Sequence, residues 1–279
     1  MIIDSHVHIF PESFISNRRN LVDRDLTFRT LFSNPKSKMV TVEDLIENMD
    51  KESIDVSVVL SMGWQDLGMI KEMNDYIIDS INRYPTKLIG FAGVNPLHGN
   101  KAAKEIDRCY KFGLKGIGEL HPYTQQFDLA NKNVMNNIME VVQENNMIVN
   151  THSSEPVGHL YDGKGNTTPE VLLNFINNYP DTTIICAHWG GGLPFYNLMP
   201  EVKSCLSKVY FDTAATTLLY DRKIFDISMS LIGSDKILFA SDFPLVKPKF
   251  IKKQLDISGN SELDIFNVVY ANAKKLFKL

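Results

Sequence analysis

The segment Asp4-Ser5-His6-Val7-His8 lies in the first apolar run of the chain, and two histidines two residues apart on an extended segment share one face. Imidazoles paired in this way can grip a divalent cation. Four later apolar segments finish on side chains of the same chemical kind: Glu119 in 116–120, His152 in 147–153, His188 in 182–188 and Asp242 in 236–242. Singly, each has an ordinary explanation, because strand-end carboxylates cap following helices and isolated histidines are commonly hydrogen-bonded core residues. Jointly they point to a metal, since four of the seven histidines fall at the ends of predicted strands. Imidazoles and carboxylates without thiolates suit zinc first, with manganese or ferrous iron as alternatives, as one ion or two, and leave a position open to water.

For such donors to meet, the strands that carry them must run parallel and finish on one rim. Eight β-branched apolar segments are available, at 2–9, 56–62, 88–95, 114–120, 147–153, 182–188, 209–215 and 236–242. Between them run helical patterns such as Val134, Ile138, Val141 and Val142. Thr41 with Asp44 reads as a capping box, Thr168-Pro169 as N-cap and first helical residue, and Gly113 and Gly233 as helix stops. Eight βα units predict an α/β protein, a single (β/α)8 TIM barrel over residues 1–279; an open doubly wound sheet is the competing architecture. Alternation along the strands turns Asp4, His6 and His8 inward with Ile3, Val7 and Ile9 outward. It likewise turns in Asn150 and His152, then Ile184, Cys186 and His188, then Leu238, Ala240 and Asp242.

Residues 10–43 break the alternation. They are polar, turn-rich and too long for an ordinary βα loop, and they leave the strand that bears His6 and His8. The expectation is a lid-like insertion over the barrel mouth, whose Arg18, Arg19, Arg24 or Arg29 could meet an acidic substrate. A solvated excursion or an oligomer contact is the plainer alternative.

Composition narrows the function. A net charge of −4 with dispersed lysines and arginines gives no electrostatic case for nucleic acid or an anionic membrane, so a small-molecule substrate is expected. No segment approaches the roughly 20 apolar residues that span a bilayer. Cys109, Cys186 and Cys205 are odd in number and lack a C-x-x-C pattern, which fits a reducing cytoplasm rather than a disulfide framework. A homo-oligomer is left open.

The chain resembles the amidohydrolase superfamily in Asp4-Ser-His6-Val-His8, Asn150-Thr-His152, Cys186-Ala-His188-Trp-Gly-Gly-Gly192, Phe239-Ala-Ser-Asp242-Phe-Pro244 and Tyr270-Ala-Asn272-Ala. The likeness spans nearly the whole sequence. It is strongest to the branch of metal-dependent hydrolases and of aminocarboxymuconate semialdehyde and resorcylate decarboxylases. The resemblance implies that His6, His8, His152 and Asp242 are metal ligands, and that His188 is a ligand or an acid/base group. At the fourth strand, where two-metal members carry a bridging lysine or glutamate, this chain has Glu119; a carboxylate beside a single metal is the other reading.

These expectations give a metal-dependent hydrolase that attacks a small ester, amide or lactone-like bond with metal-activated water. Asp242 orients that water and takes its proton, and His188 stabilises the oxyanion or protonates the leaving group. Asp4, one step below His6, is expected to accept an imidazole N–H. The alternative is a non-oxidative decarboxylase on the same barrel, and less favoured is a catalytically silent one. His121, before Pro122, is a substrate-side candidate. Trp189, Met62 and Trp64 need no role beyond packing or pocket lining, and Gly190-Gly191-Gly192 reads as a tight turn.

Overall fold

The computed structural model describes residues 1–279. Eight parallel strands follow one another around a sheet in sequence order: β1 (Ile3–Val7), β2 (Val56–Val59), β3 (Leu88–Ala92), β4 (Gly116–Leu120), β5 (Ile148–Thr151), β6 (Ile184–Cys186), β7 (Val209–Asp212) and β8 (Ile237–Leu238). The first and last segments decide between open sheet and barrel. Ser5 N–H donates to the Phe239 carbonyl at 2.8 Å, Asp242 N–H to His6 at 2.9 Å and His8 N–H to Phe243 at 2.7 Å. Those bonds join the two edges that a doubly wound sheet would leave unpaired, so the molecule is a (β/α)8 barrel.

Helices cover the outside, started and stopped by the residues that the sequence singles out. Thr41 and Asp44 form the reciprocal capping box of helix Val42–Glu52. Gly233 ends Ile224–Ile232 at φ 84°, a backbone angle that side-chain-bearing residues avoid. At the base, Phe277 of helix Asn272–Phe277 packs on Phe91 of β3, ring centroids 6.1 Å apart. No helix is long and apolar enough to cross a membrane.

The strands are shorter than their apolar runs, and this changes which residues are strand residues at all. Only His6 and Glu119 lie within strands; His8 and His152 follow β1 and β5 directly, while His188 and Asp242 lie further out in the exit loops. Side-chain facing also departs from strict alternation. Ile3, Val58, Ile89, Phe91, Ile148, Ile185 and Leu238 share one apolar cluster, and because they come from strands on opposite sides of the ring that cluster fills the interior. Ile3 therefore faces inward, contrary to expectation, because β1 shifts register against β2 between Asp4 and Val7. On β6 the expectation is reversed: Ile185 points in, while Ile184 and Cys186 pack with the surrounding helices. His188 still reaches the mouth because the chain abandons extended geometry there, with φ 54° and ψ 48°.

Residues 10–43 are not an irregular excursion. They form helices Glu12–Ser16, Arg18–Arg24 and Leu26–Phe32, held by an aromatic cluster that polar neighbours hide in the sequence. Phe28, Phe14, Phe32 and Phe10 surround Trp64, with ring centroids 5.6, 5.9, 6.2 and 6.4 Å from it. Each buried phenylalanine contributes roughly 1.5–3 kcal/mol. Buried Asp25 adds a polar bolt: its carboxylate accepts Phe28 N–H at 3.0 Å and reaches across to Gln65 and Asp66 N–H at 2.7 and 2.9 Å.

Candidate metal centre

All six expected residues, His6, His8, Glu119, His152, His188 and Asp242, meet at the C-terminal mouth of the barrel. Their hydrogen-bond partners fix which ring nitrogens carry protons. A carbonyl oxygen only accepts, so His8 Nδ1 (3.0 Å from Leu60 O), His188 Nδ1 (3.2 Å from Ala214 O) and His152 Nε2 (3.1 Å from Lys164 O) are donors. His6 Nδ1 lies 2.9 Å from the Asp212 carboxylate and is a donor too.

The opposite ring nitrogens are therefore bare in the neutral rings, and they converge. His6 Nε2 and His8 Nε2 are 3.1 Å apart. Glu119 Oε2 lies 3.5 and 3.7 Å from them, and Asp242 Oδ1 lies 3.9 and 3.4 Å from them. Lone pairs and negative oxygens at such spacings repel unless a positive charge sits among them. The spacings match the edges, about 3.4 Å, of a tetrahedron of bonds near 2.1 Å around a cation. Glu119 Oε1 meanwhile faces His152 Nδ1 at 3.0 Å and His188 Nε2 at 3.3 Å, so Glu119 belongs to two donor triads. The donor set fits one divalent ion, or two that share Glu119.

Electrostatics express the same demand. Burial opposes charge on His6, but Asp212 and Glu119 outweigh it and hold the ring well above the usual histidine value. Burial also opposes charge on His188, which its bond to Glu119 and the charges of Glu119 and Asp242 nevertheless raise to about 9. Glu119 and Asp242 are held low against burial, Glu119 first by His121 and His6, Asp242 first by its bond to His8. His152 is the exception: burial, then the charge of His121, pushes it down, which favours a bare Nδ1. Protons or a cation can supply the missing positive charge, and a cation displaces protons from the nitrogens it binds.

Three sequence expectations are corrected here. Asp4 does not accept the imidazole N–H of His6; its carboxylate accepts the His6 backbone N–H at 3.4 Å and, more closely, Ser241 N–H at 2.9 Å and Ser241 Oγ–H at 2.6 Å, fixing the loop that leads to Asp242. Asp212 has that place instead, and also accepts the backbone N–H of His188 at 2.9 Å. Three arginines of the insertion are otherwise engaged: Arg18 donates to the carbonyls of Asn34 and Ser37, Arg24 to Asp66, and Arg29 to the carbonyls of Val22 and Asp23. None lines the cavity, where Lys36 and Lys38 do. His121 is closer to the centre than expected, with Nε2 3.0 Å from Glu119 Oε2 and its ring stacked on His152 at 4.5 Å.

The centre forms the floor of a cavity of about 630 Å³, walled by Phe10, Phe32, Met62, Leu218 and Leu219. Two tight turns set its far side. Lys164 is buried and donates Nζ to the carbonyls of Val157 and His159 at 2.7 and 3.1 Å, which folds the loop bearing His159 and Tyr161 over the cavity. His188 to Gly192 are all left-handed, and a Cβ on Gly191 would stand 2.3 Å from the Ser154 carbonyl, so glycine there permits close packing against the neighbouring loop. Trp189 is buried against Phe225 and bonded to Thr216, outside the cavity.

A closed parallel barrel with a cation-ready donor cluster at its C-terminal mouth defines a metal-site (β/α)8 protein. The chain belongs to the amidohydrolase family, whose family model matches residues 3–279. It is 22% identical over 298 aligned positions to a gamma-resorcylate decarboxylase from Polaromonas sp., covering 88% of this chain and 90% of that protein. Among solved structures it is similar to a 5-carboxyvanillate decarboxylase from Sphingomonas paucimobilis, with TM-score 0.83, 15% identity and coverage of 100% of this chain and 99% of the other. The corresponding enzyme from Novosphingobium aromaticivorans, complexed with manganese and 4-hydroxy-3-methoxy-5-nitrobenzoic acid, gives TM-score 0.84 and 20% identity over 100% and 96% of the two chains.

Proposed function

We propose that this chain is a metal-dependent decarboxylase that releases CO2 from a small hydroxylated aromatic acid. On this reading it is a single barrel domain whose residues 10–43 form a fixed wall of the mouth. The observation that carries the proposal is a buried donor cluster at the foot of an apolar-walled cavity: a flat ring satisfies the walls while its carboxylate or phenolate meets the floor. The relatives support it, since the similar proteins named above are decarboxylases of aromatic acids. They favour this reaction over the ester, amide or lactone hydrolysis that the sequence ranks first. They also bring manganese ahead of zinc as the ion to test, because manganese is bound in the Novosphingobium enzyme.

His6, His8, Glu119 and Asp242 would hold a divalent cation, which when bound would supply positive charge to substrate oxygens and the attached ring. The protein's own groups do the rest. Phe10, Phe32 and Met62 exclude water from the ring. His188, anchored through Nδ1 on the Ala214 carbonyl with Nε2 turned toward Glu119, is the acid that delivers a proton to the ring carbon. The bond from that carbon to the carboxylate breaks, its electron pair takes the proton, and CO2 leaves, so one proton is consumed per turnover.

The test is release of CO2 from a panel of hydroxybenzoates by protein loaded with manganese or zinc, followed by ring-proton NMR in D2O. The expected result is a phenol labelled at the former carboxylate carbon. Turnover of lactones or esters with every hydroxybenzoate inert would overturn the proposal. One feature favours hydrolysis as a second reading: Glu119 shares two donor triads, as a carboxylate between two ions would. Two ions per chain together with esterase or lactonase activity would support it.

A further inference from the structure

We infer that Lys164 is a positioning residue that ties closure of the loop over the mouth to the setting of His152, so that the two loosen together. The inference holds whichever reaction the centre performs, because it concerns bonds within the chain and is tested without turnover. Burial sets Lys164 apart: it is the one lysine that the fold removes from water, with 8% of its surface exposed. Burying an ammonium is costly unless its protons find acceptors. Its partners here are neutral. Nζ donates to the carbonyls of Val157 and His159 at 2.7 and 3.1 Å and lies 5.9 Å from the centroid of the Tyr161 ring.

Those contacts stand in for the apolar core of a compact loop. Val157 and Leu160, the large aliphatic side chains of the loop, are 75% and 89% exposed, so apolar burial contributes little to its closure. Its remaining ties are polar and local: Tyr161 Oη donates to Glu155 at 3.2 Å, and Lys164 N–H donates to the Tyr161 carbonyl at 3.1 Å. The ammonium is therefore the main fastening of 157–161, and His159 and Tyr161 of that segment line the cavity.

The backbone of the same residue reaches the metal centre. The Lys164 carbonyl accepts His152 Nε2–H at 3.1 Å and also the Ser154 hydroxyl. Ser154 Oγ accepts Thr167 N–H at 3.2 Å, and Ser154 N–H donates to the Thr167 carbonyl at 2.9 Å, which clamps the two ends of the loop together. With its proton kept on Nε2, His152 presents Nδ1 to Glu119 Oε1 at 3.0 Å. Lys164 thus grips the loop with its side chain and a histidine of the centre with its carbonyl. Loosening either grip weakens the other, since coupling between two sites is reciprocal.

The experiment uses zinc-loaded protein with isotopically labelled histidine and reads two signals. One is the rate at which chymotrypsin cuts after Leu160 or Tyr161; the other is the solvent-exchange rate of the His152 Nε2 proton by NMR, assigned with His152→Gln. Lys164→Met removes the charge and leaves the carbonyl, whereas Ser154→Ala frees the carbonyl and leaves the ammonium. Each is expected to act on the far side: Lys164→Met speeds exchange at His152 roughly tenfold, and Ser154→Ala speeds cleavage of the loop several-fold. Glu105→Gln, which weakens a buried network elsewhere in the barrel, controls for general loosening and should alter neither signal. A substitution that leaves the far-side signal unchanged, or a Glu105→Gln effect on both signals as large as theirs, would overturn the inference. If Lys164→Met does not fold, Ser154→Ala decides alone, and unchanged cleavage of the loop in that variant overturns the coupling.

Discussion

His6 can offer Nε2 to a cation only if Nδ1 keeps its proton, and Asp212 is the group that keeps it there. The same carboxylate holds the His188 backbone, so one residue sets both the first-strand ligand and the proposed proton donor. Replacing it by Asn preserves size and removes the charge. Asp212→Asn is expected to fold, and to bind manganese about 10- to 100-fold more weakly, as measured by competition with a fluorescent chelator. Unchanged affinity would mean that Asp212 does not act through His6. The sequence conceals Asp212 because the apolar run 209–215 places it in mid-strand, whereas β7 stops at this residue. Asp4 attracts notice by adjacency to His6, and adjacency along a strand is not proximity of side-chain atoms.

At the scale of elements, one buried network fixes the β3 exit to two helices. Asn74 of helix Leu67–Arg83 accepts from Gly93 N–H at 2.7 Å and donates to the Gly93 carbonyl at 3.0 Å and to Glu105 at 2.9 Å. Glu105 of helix Asn100–Lys111 completes it with two bonds to Arg108. Burial works against the Glu105 carboxylate, but Arg108 and Asn74 outweigh it and hold its pKa below the usual value. A carboxyl depressed on folding adds stability above its unfolded pKa, about 4.3, and loses that contribution as pH falls through the folded value. Glu105→Gln should therefore lower stability at pH 7 by about 1.5–3 kcal/mol and by clearly less near pH 3, measured by urea unfolding at both. An equal deficit at both pH values would show that packing, not charge, is lost.

For the whole molecule, the donor cluster is a liability until a cation fills it, because bare nitrogens and carboxylates crowd one buried point. Binding that point only in the folded state stabilises the fold by mass action, about 2.7 kcal/mol at a hundredfold excess over Kd. For a chain of this size that corresponds to roughly 5–10 °C in Tm. Manganese or zinc added to chelator-treated protein is expected to raise Tm by that amount, and His8→Ala to abolish most of the rise. A Tm indifferent to metal in the unsubstituted protein would argue that protons alone balance the cluster. The ratio of ions to chains at saturation then separates one ion from two.

Periodicity and end-of-strand chemistry are enough to read eight βα units, the barrel and six side chains that come together at its mouth, because alternation and helical spacing are local properties and a parallel barrel brings strand ends together whatever the loops do. The facing of Ile3 and of β6 was beyond such reading, since a register shift and a left-handed turn are settled by the neighbours they pack against. The helical insertion was hidden for the same reason: Phe10, Phe14, Phe28 and Phe32 make sense only around Trp64, which follows a different strand. Which carboxylate holds His6, and which cations face the cavity, depend on distances between chain segments far apart in sequence. Tertiary structure alone sets those distances.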